Sequence, residues 1–238
     1  MSSDRPLPVL VATGLAREAR LAAGSDIVTV CAGSSPTRLR IALGDHAPSC
    51  RAVVSFGIAG GLDPALAPGD VVVATGIAAA DGHWPAHPAF IRAWVRCLSK
   101  GRHRMILAGI AAGEALLMSP AEKAALHSAT GAAVVDLESH VAAAFAAAHG
   151  LPFAAIRAVC DPAHRVLPPL AREALRPDGR VDFASLLRQV VRQPTQLTAL
   201  PCLASDASAA FASLRHCRSL LGPGLGLTGL GEPFSDVA

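Results

Sequence analysis

The sequence predicts an α/β fold: a single-domain, three-layer αβα arrangement around a mixed, largely parallel central sheet. Three observations point there. Short apolar runs alternate with segments of helical composition from Pro8 to about residue 160. Several runs, Val71–Ala78 among them, are apolar almost throughout and rich in Val, as strands covered on both faces are. The 238 residues also show no internal repeat and no dividing linker. One domain is therefore expected over 1–238, with a core at about 8–195 and a C-terminal helix and loose tail at 196–238.

The elements follow in order. Pro8–Ala12 reads as a first strand closed by Thr13-Gly14, and Leu15–Ala23 as a helix closed by Gly24. Ile27–Cys31 is a second short strand, Gly33–Pro36 a loop, and 37–43 is ambiguous. Arg51–Phe56 is a buried strand ending in the loop Gly57-Ile58-Ala59-Gly60-Gly61, with turns at Asp63-Pro64 and Pro68-Gly69-Asp70. Val71–Ala78 is a strand, 81–87 a loop, 89–98 a helix and 104–110 a strand. Ser119-Pro120-Ala121-Glu122 is a helix start, with Ser as N-cap and Pro at the first position. A strand at 132–137, a helix at 139–149 closed by Gly150 and a strand at 153–160 come next. The region 162–182 is Pro- and Arg-rich and irregular. Residues 183–192 and 203–220 are helical, and the tail from about Gly222 is loose.

Composition excludes several classes. Hydrophobic residues make up 52% and charged residues 16%, which is incompatible with a disordered chain. The net charge of +3 is modest and the Arg residues are scattered, so no nucleic-acid surface is indicated. Lys occurs only at Lys100 and Lys123, leaving few candidates for a lysine nucleophile. No run is long and apolar enough to span a membrane, and the N-terminus lacks the pattern of a cleaved leader. A cytoplasmic location is expected. The six Cys form no CxxC pair and read as isolated thiols.

Charged residues are scarce, yet acids recur just after strands. In the stretch 134–163 (VVDLESHVAAAFAAAHGLPFAAIRAVCDPA) the charged residues are Asp136, Glu138, Arg157 and Asp161. Glu18 follows the first strand in the same way. If the strands run parallel, these positions share the carboxyl edge of the sheet, where α/β folds bind ligands. Arg157 lies in an apolar strand and requires an acidic partner. Each acid also has a structural reading: Glu18 and Glu138 as first-turn helix acids, Asp161 as a turn residue before Pro162.

Two stretches together bring the chain close to a known family. VVSFGIAGGLDPALAPGDVVVAT (53–75) and the 134–163 stretch resemble the Gly-rich loop and the Asp-x-Glu helix with its Arg-x-x-x-Asp strand end of the nucleoside phosphorylase and methylthioadenosine/S-adenosylhomocysteine nucleosidase superfamily. VLVATGLAREARLA (9–22) resembles the first strand and acidic turn of the nucleosidase branch. The resemblance implies cleavage of the N-glycosidic bond of a purine ribonucleoside. It implies Asp161 as the acid protonating N7 of the leaving base, Glu18 as the acid that positions and activates water, and Arg157 as the organiser of the acid network. It implies Glu138 as a ribose ligand with Leu137 beside it, Ile58, Ala59 and Gly60 as substrate-binding residues of the Gly-rich loop, and Leu117 against the base.

The segment 162–214 is similar to the hopanoid-associated phosphorylase branch, which implies adenosylhopane as substrate and adenine as product. Two departures stand out: Ile58 replaces the family's usual Ser, and Glu18 stands where hexameric phosphorylases hold phosphate with an Arg. Both phosphorolysis and hydrolysis stay open on sequence grounds, with inorganic phosphate an open co-substrate and no other cofactor expected. The alternatives are a methylthioadenosine/S-adenosylhomocysteine-type nucleosidase and a non-catalytic nucleoside- or lipid-binding protein on the same scaffold. The implied partner is a small-molecule nucleoside substrate, and no nucleic acid is expected; a lipid-linked substrate would place the protein at the inner membrane face. A homo-oligomer is implied by the family.

Two further patterns carry no assignment. Gly224-Leu225-Gly226-Leu227-Thr228-Gly229 matches GxGxxG but has no strand before it and too few residues after it for a βαβ unit. His83 and His87 lie in a Pro-containing segment with no third ligand, so no metal is expected.

Overall fold

The computed structural model describes residues 7–33, 35–46, 49–169, 179 and 200–227. The expected helix at 183–192 lies outside them. The element order is β1 (Val9–Thr13), α1 (Ala16–Ala22), β2 (Ile27–Cys31), α2 (Pro36–Gly44), β3 (Ala52–Gly61), β4 (Val71–Ala79), β5 (Gly82–Pro85), α3 (Pro88–Leu98), β6 (Met105–Ala112), α4 (Pro120–Thr130), β7 (Val134–Asp136), α5 (Ser139–Ala148), β8 (Phe153–Asp161) and α6 (Leu200–Leu221). The ambiguous segment 37–43 is helical because Ser35 caps it, accepting from Arg38 N, and Pro36 occupies the first turn.

The sheet is mixed, as expected, but it is not an open layer. β8 pairs parallel with β3 and antiparallel with β4, β4 pairs parallel with β6, β6 parallel with β7, and β7 antiparallel with β3. Those five strands close into a hydrogen-bonded ring. β1 and β2 extend it beside β3, and β5 beside β4. The three-layer expectation is thus corrected to a ring with helices packed on it. Strand periodicity reports which face is buried, whereas closure depends on which strands become neighbours.

Side chains alternate along the parallel strands. Leu10, Val53, Ala155 and Val159 join one core with α2 and α5, while Val11, Val54, Phe56, Ile156 and Ala158 join another with α3 and α6. Buried Ser55 and Arg157 belong by this period to the α5 face. Burying uncharged apolar side chains on both faces is the main stabilisation, worth roughly 1.5–3 kcal/mol for each large one.

Three local expectations are corrected. The glycines of 57–61 do not form a loop: β3 runs through them, with a register shift between Ala59 and Gly60. Residues 82–85 form a short strand rather than a loop, because they pair with Gly76–Ala79. The chain after α6 is tied down as far as residue 227: Leu225 and Leu227 are buried, Trp94 Nε1 donates to Leu225 O at 2.7 Å and Arg51 Nη1 to Leu227 O at 3.1 Å.

Candidate active site

The polar groups converge by a route different from a shared parallel edge. β1, β2, β3 and β8 are mutually parallel, while β4, β6 and β7 run the other way. Glu18, Ile58–Gly60 and Asp161 follow or end strands of the first group. Asp136 ends β7 and Glu138 follows it; β7 pairs antiparallel with the last residues of β3, with Gly60 opposite Val135 and Gly61 opposite Val134. Gly60 is also aligned with Asp161 of β8. The β3 register shift therefore gathers both strand ends at one glycine.

A fully buried guanidinium organises the cluster. Arg157 Nε lies 2.6 Å from Asp136 Oδ2, and Nη2 lies 3.6 Å from Glu138 Oε2. Nη2 also donates to Ser55 Oγ at 2.6 Å and to Ser139 Oγ at 3.1 Å. Asp136 holds the other side: its Oδ1 accepts from Glu138 N at 3.0 Å and Ser139 N at 2.7 Å, engaging amides free at the start of α5. A buried cation without such partners would be strongly destabilising.

Glu18 sits in the first turn of α1, 1% exposed. Its Oε2 accepts from Gly14 N at 3.0 Å and Leu15 N at 2.8 Å, and its Oε1 from Ile58 N at 2.8 Å. A carboxylate offers about four acceptor positions, so one remains. Burial raises its pKa, while Arg157 and the three amides pull it back down. Burial likewise raises Glu138, against the pull of Arg157 and with the push of Asp136 and Glu18.

Asp161 ends β8. Its Oδ2 lies 2.7 Å from Lys123 Nζ, and its Oδ1 has no hydrogen-bond partner among the described residues. Burial raises the Asp161 pKa, opposed by Lys123 and Arg165. A carboxyl group whose pKa is raised holds its proton to higher pH, as a general acid requires.

Glu18, Lys123, Asp136, Glu138 and Asp161 line a cavity of about 320 Å³, within the usual range of about 300–1,000 Å³ for small-molecule sites. Of the residues singled out in the sequence, Glu18, Ile58, Ala59, Gly60, Leu117, Leu137, Glu138 and Asp161 line it. Arg157 does not; it lies beneath, at 0% exposure. Sequence reasoning missed Lys123, Ser55 and Ser139 as members of the cluster. A Ser in an apolar strand was the available signal for Ser55, since a buried hydroxyl requires a partner. His83 and His87 are not among the lining residues, and no cluster of three metal-binding side chains occurs among the described residues.

Two glycines make room for this chemistry. A Cβ on Gly57 would collide with Arg157 Nη1 and Glu18 Oε1, and one on Gly14 with the Glu138 carboxylate. Gly57→Ala is expected to destabilise the fold by about 1–3 kcal/mol through overpacking. Gly44→Ala, where an added Cβ meets nothing within 4 Å, is expected to be neutral or stabilising. Urea unfolding of the two variants checks the contrast.

Residues 13–192 match the family model of the phosphorylase superfamily. The chain belongs to the phosphorylase superfamily. No curated protein sequence matches it. Among solved structures, this superfamily member is similar to the Neisseria meningitidis 5′-methylthioadenosine/S-adenosylhomocysteine nucleosidase in complex with methylthio-immucillin-A, at TM-score 0.68 and 16% identity over 90% of this chain and 98% of that chain. It is similar to the Colwellia psychrerythraea enzyme of the same description in complex with adenine, at TM-score 0.67 and 16% identity over 93% and 97%. It is also similar to futalosine hydrolase of Helicobacter pylori, at TM-score 0.64 and 14% identity over 88% and 96%. At such identities the likeness is one of fold.

Proposed function

We propose that this protein hydrolyses the N-glycosidic bond of a purine ribonucleoside. The observation that carries hydrolysis over phosphorolysis is the placement of Glu18. The N–H groups of Gly14, Leu15 and Ile58 form a cradle that could hold an anion, and the Glu18 carboxylate fills it. A phosphate in that place would meet a negative group and find its donors already engaged. Water needs only the one remaining acceptor position of Glu18.

In this reading the C1′–N9 bond breaks and its electron pair goes to the base. Asp161 gives its proton to N7, so the base leaves neutral. Positive charge grows on the sugar, where the acids Glu138 and Glu18 favour it. Water forms the new bond to C1′ and gives its proton to Glu18. The products are the free base and a reducing sugar.

The part of the substrate beyond the ribose is apolar. Leu15, Leu116, Leu117, Leu167 and Leu203 line the cavity. Leu203 and Ala207 bring the first half of α6 to the cavity wall, while Phe211 and Leu214 further along the helix are core. This wall supports a hydrocarbon 5′ substituent, and with the 162–214 resemblance it supports adenosylhopane as the substrate, met at a membrane face.

Adenine release from adenosylhopane, 5′-methylthioadenosine and adenosine, each with and without phosphate, tests the reading. Release that does not depend on phosphate, fastest with the most apolar 5′ group, is expected. Phosphate dependence would overturn hydrolysis, and no release under any condition would overturn the enzyme reading.

A further inference from the structure

We propose that Lys123 is a positioning residue for Asp161, fixing Oδ2 so that Oδ1 is the oxygen presented to the leaving base and steadying the carboxylate left behind. The inference rests on the proposed role of Asp161 as the acid.

Lys123 is an unusual choice for its place. It lies four residues after the N-cap Ser119 of α4, where the helix dipole disfavours a cation. It is fully buried, where a charge is costly unless paired. It is also one of only two Lys in the chain. An apolar side chain would suit a buried first turn better, so what Lys123 touches must account for it.

An ammonium has three protons to donate. Lys123 Nζ lies 2.7 Å from Asp161 Oδ2, and donates to Pro162 O at 2.9 Å and Arg165 O at 3.2 Å. All three protons have acceptors. A structural staple between α4 and the turn after β8 would use the same carbonyls. Two facts go beyond a staple. Lys123 and Asp161 both line the cavity. And the ammonium engages one Asp161 oxygen while the other, Oδ1, is buried with no partner among the described residues.

The chemistry follows from that asymmetry. A proton on Oδ2 would face a cation, so the proton belongs on Oδ1. On transfer, the Oδ1–H bond breaks, the N7–H bond forms, and the carboxylate charge develops beside the ammonium. Lys123 keeps its own three protons throughout. Its charge makes Asp161 a stronger acid in the step where acidity counts, and holds the carboxyl plane at the same time.

The other groups facing Asp161 do not replace it. Arg165 lies on the following turn, and its Nε and Nη2 are engaged by Asp206 of α6 at 2.9 and 2.7 Å. Asp206 bears on Asp161 with the opposite sign. Cys160 is a neutral neighbour, its thiol pushed up to about 12 by burial foremost. Glu18 and Glu138 line the same cavity and are held by backbone amides and Arg157.

Full-length Lys123→Met and Lys123→Arg, assayed with 5′-methylthioadenosine, test the proposal. Lys123→Met is expected to lower kcat by about 10- to 100-fold, less than loss of the acid itself, with KM little changed. Its alkaline limb should move to higher pH, and Lys123→Arg should restore much of kcat. Placed on Asp161→Asn, Lys123→Met should cost nothing more. Carboxyl 13C NMR of the free protein adds a readout that needs no turnover: Asp161 should titrate at higher pH in Lys123→Met. If Lys123→Met does not fold, Lys123→Gln takes its place. An unmoved Asp161 titration, or an equal kcat loss with and without Asp161, would overturn the proposal. If the unaltered protein releases no adenine, the functional reading fails, while the titration still decides the role of Lys123.

Discussion

Asp161→Asn is expected to lower turnover by about 10²–10⁴-fold, or about 3–5 kcal/mol of barrier. The amide has nearly the shape of the carboxyl group but cannot give up a proton to N7. Circular dichroism should show a native fold, since Asn can still accept from Lys123 through its carbonyl oxygen. The pH profile supplies the sign. Asp161 acts protonated and burial raises its pKa, so unaltered activity should fall as pH rises through that raised value. Near-normal turnover in Asp161→Asn would remove the acid role.

Glu18→Ala should cost about as much, by a different route. Glu18 acts ionised, so activity should fall as pH drops through its own raised pKa. Together the two groups give a bell-shaped profile. Removing the side chain also frees the amides of Gly14, Leu15 and Ile58. Formate should then occupy the cradle and restore part of the activity, a gain that the unaltered protein should not show. Steady-state kinetics with increasing formate checks this. Full turnover in Glu18→Ala without added formate would sink the water-activating role.

Much of this protein can be read along one dimension. The alternation of apolar runs with helical segments places β1, β4, β8, α3 and α5 within a residue or two of their observed bounds. Ser119, Pro120 and Glu122 announce α4 by local hydrogen-bonding alone. Buried Arg157 required acids, and Asp136 and Glu138 are its partners. Such inferences work because their causes, backbone capping, side-chain period and the cost of an unpaired charge, act over short range or on single residues.

The remaining features depend on neighbours distant in sequence. Ring closure arises when β8 inserts between β3 and β4, strands that the chain visits about 80 to 100 residues earlier. No periodicity encodes that choice. The run Gly57–Gly61 looks like a loop by composition, yet it is strand, because β8 and β7 supply partners on either side and glycine leaves room for Arg157 and Glu18. Lys123 and Asp161 are 38 positions apart and belong to elements with no shared pattern; only the packing of α4 against the turn after β8 brings ammonium and carboxylate to 2.7 Å. Residue chemistry along the chain thus identified acids recurring at strand ends, and the resemblance to the superfamily supplied the glycosidic reading. Three-dimensional packing selected which oxygen of Asp161 is left open and brought the Ile58 amide to Glu18, because both depend on contacts between segments that meet only after folding.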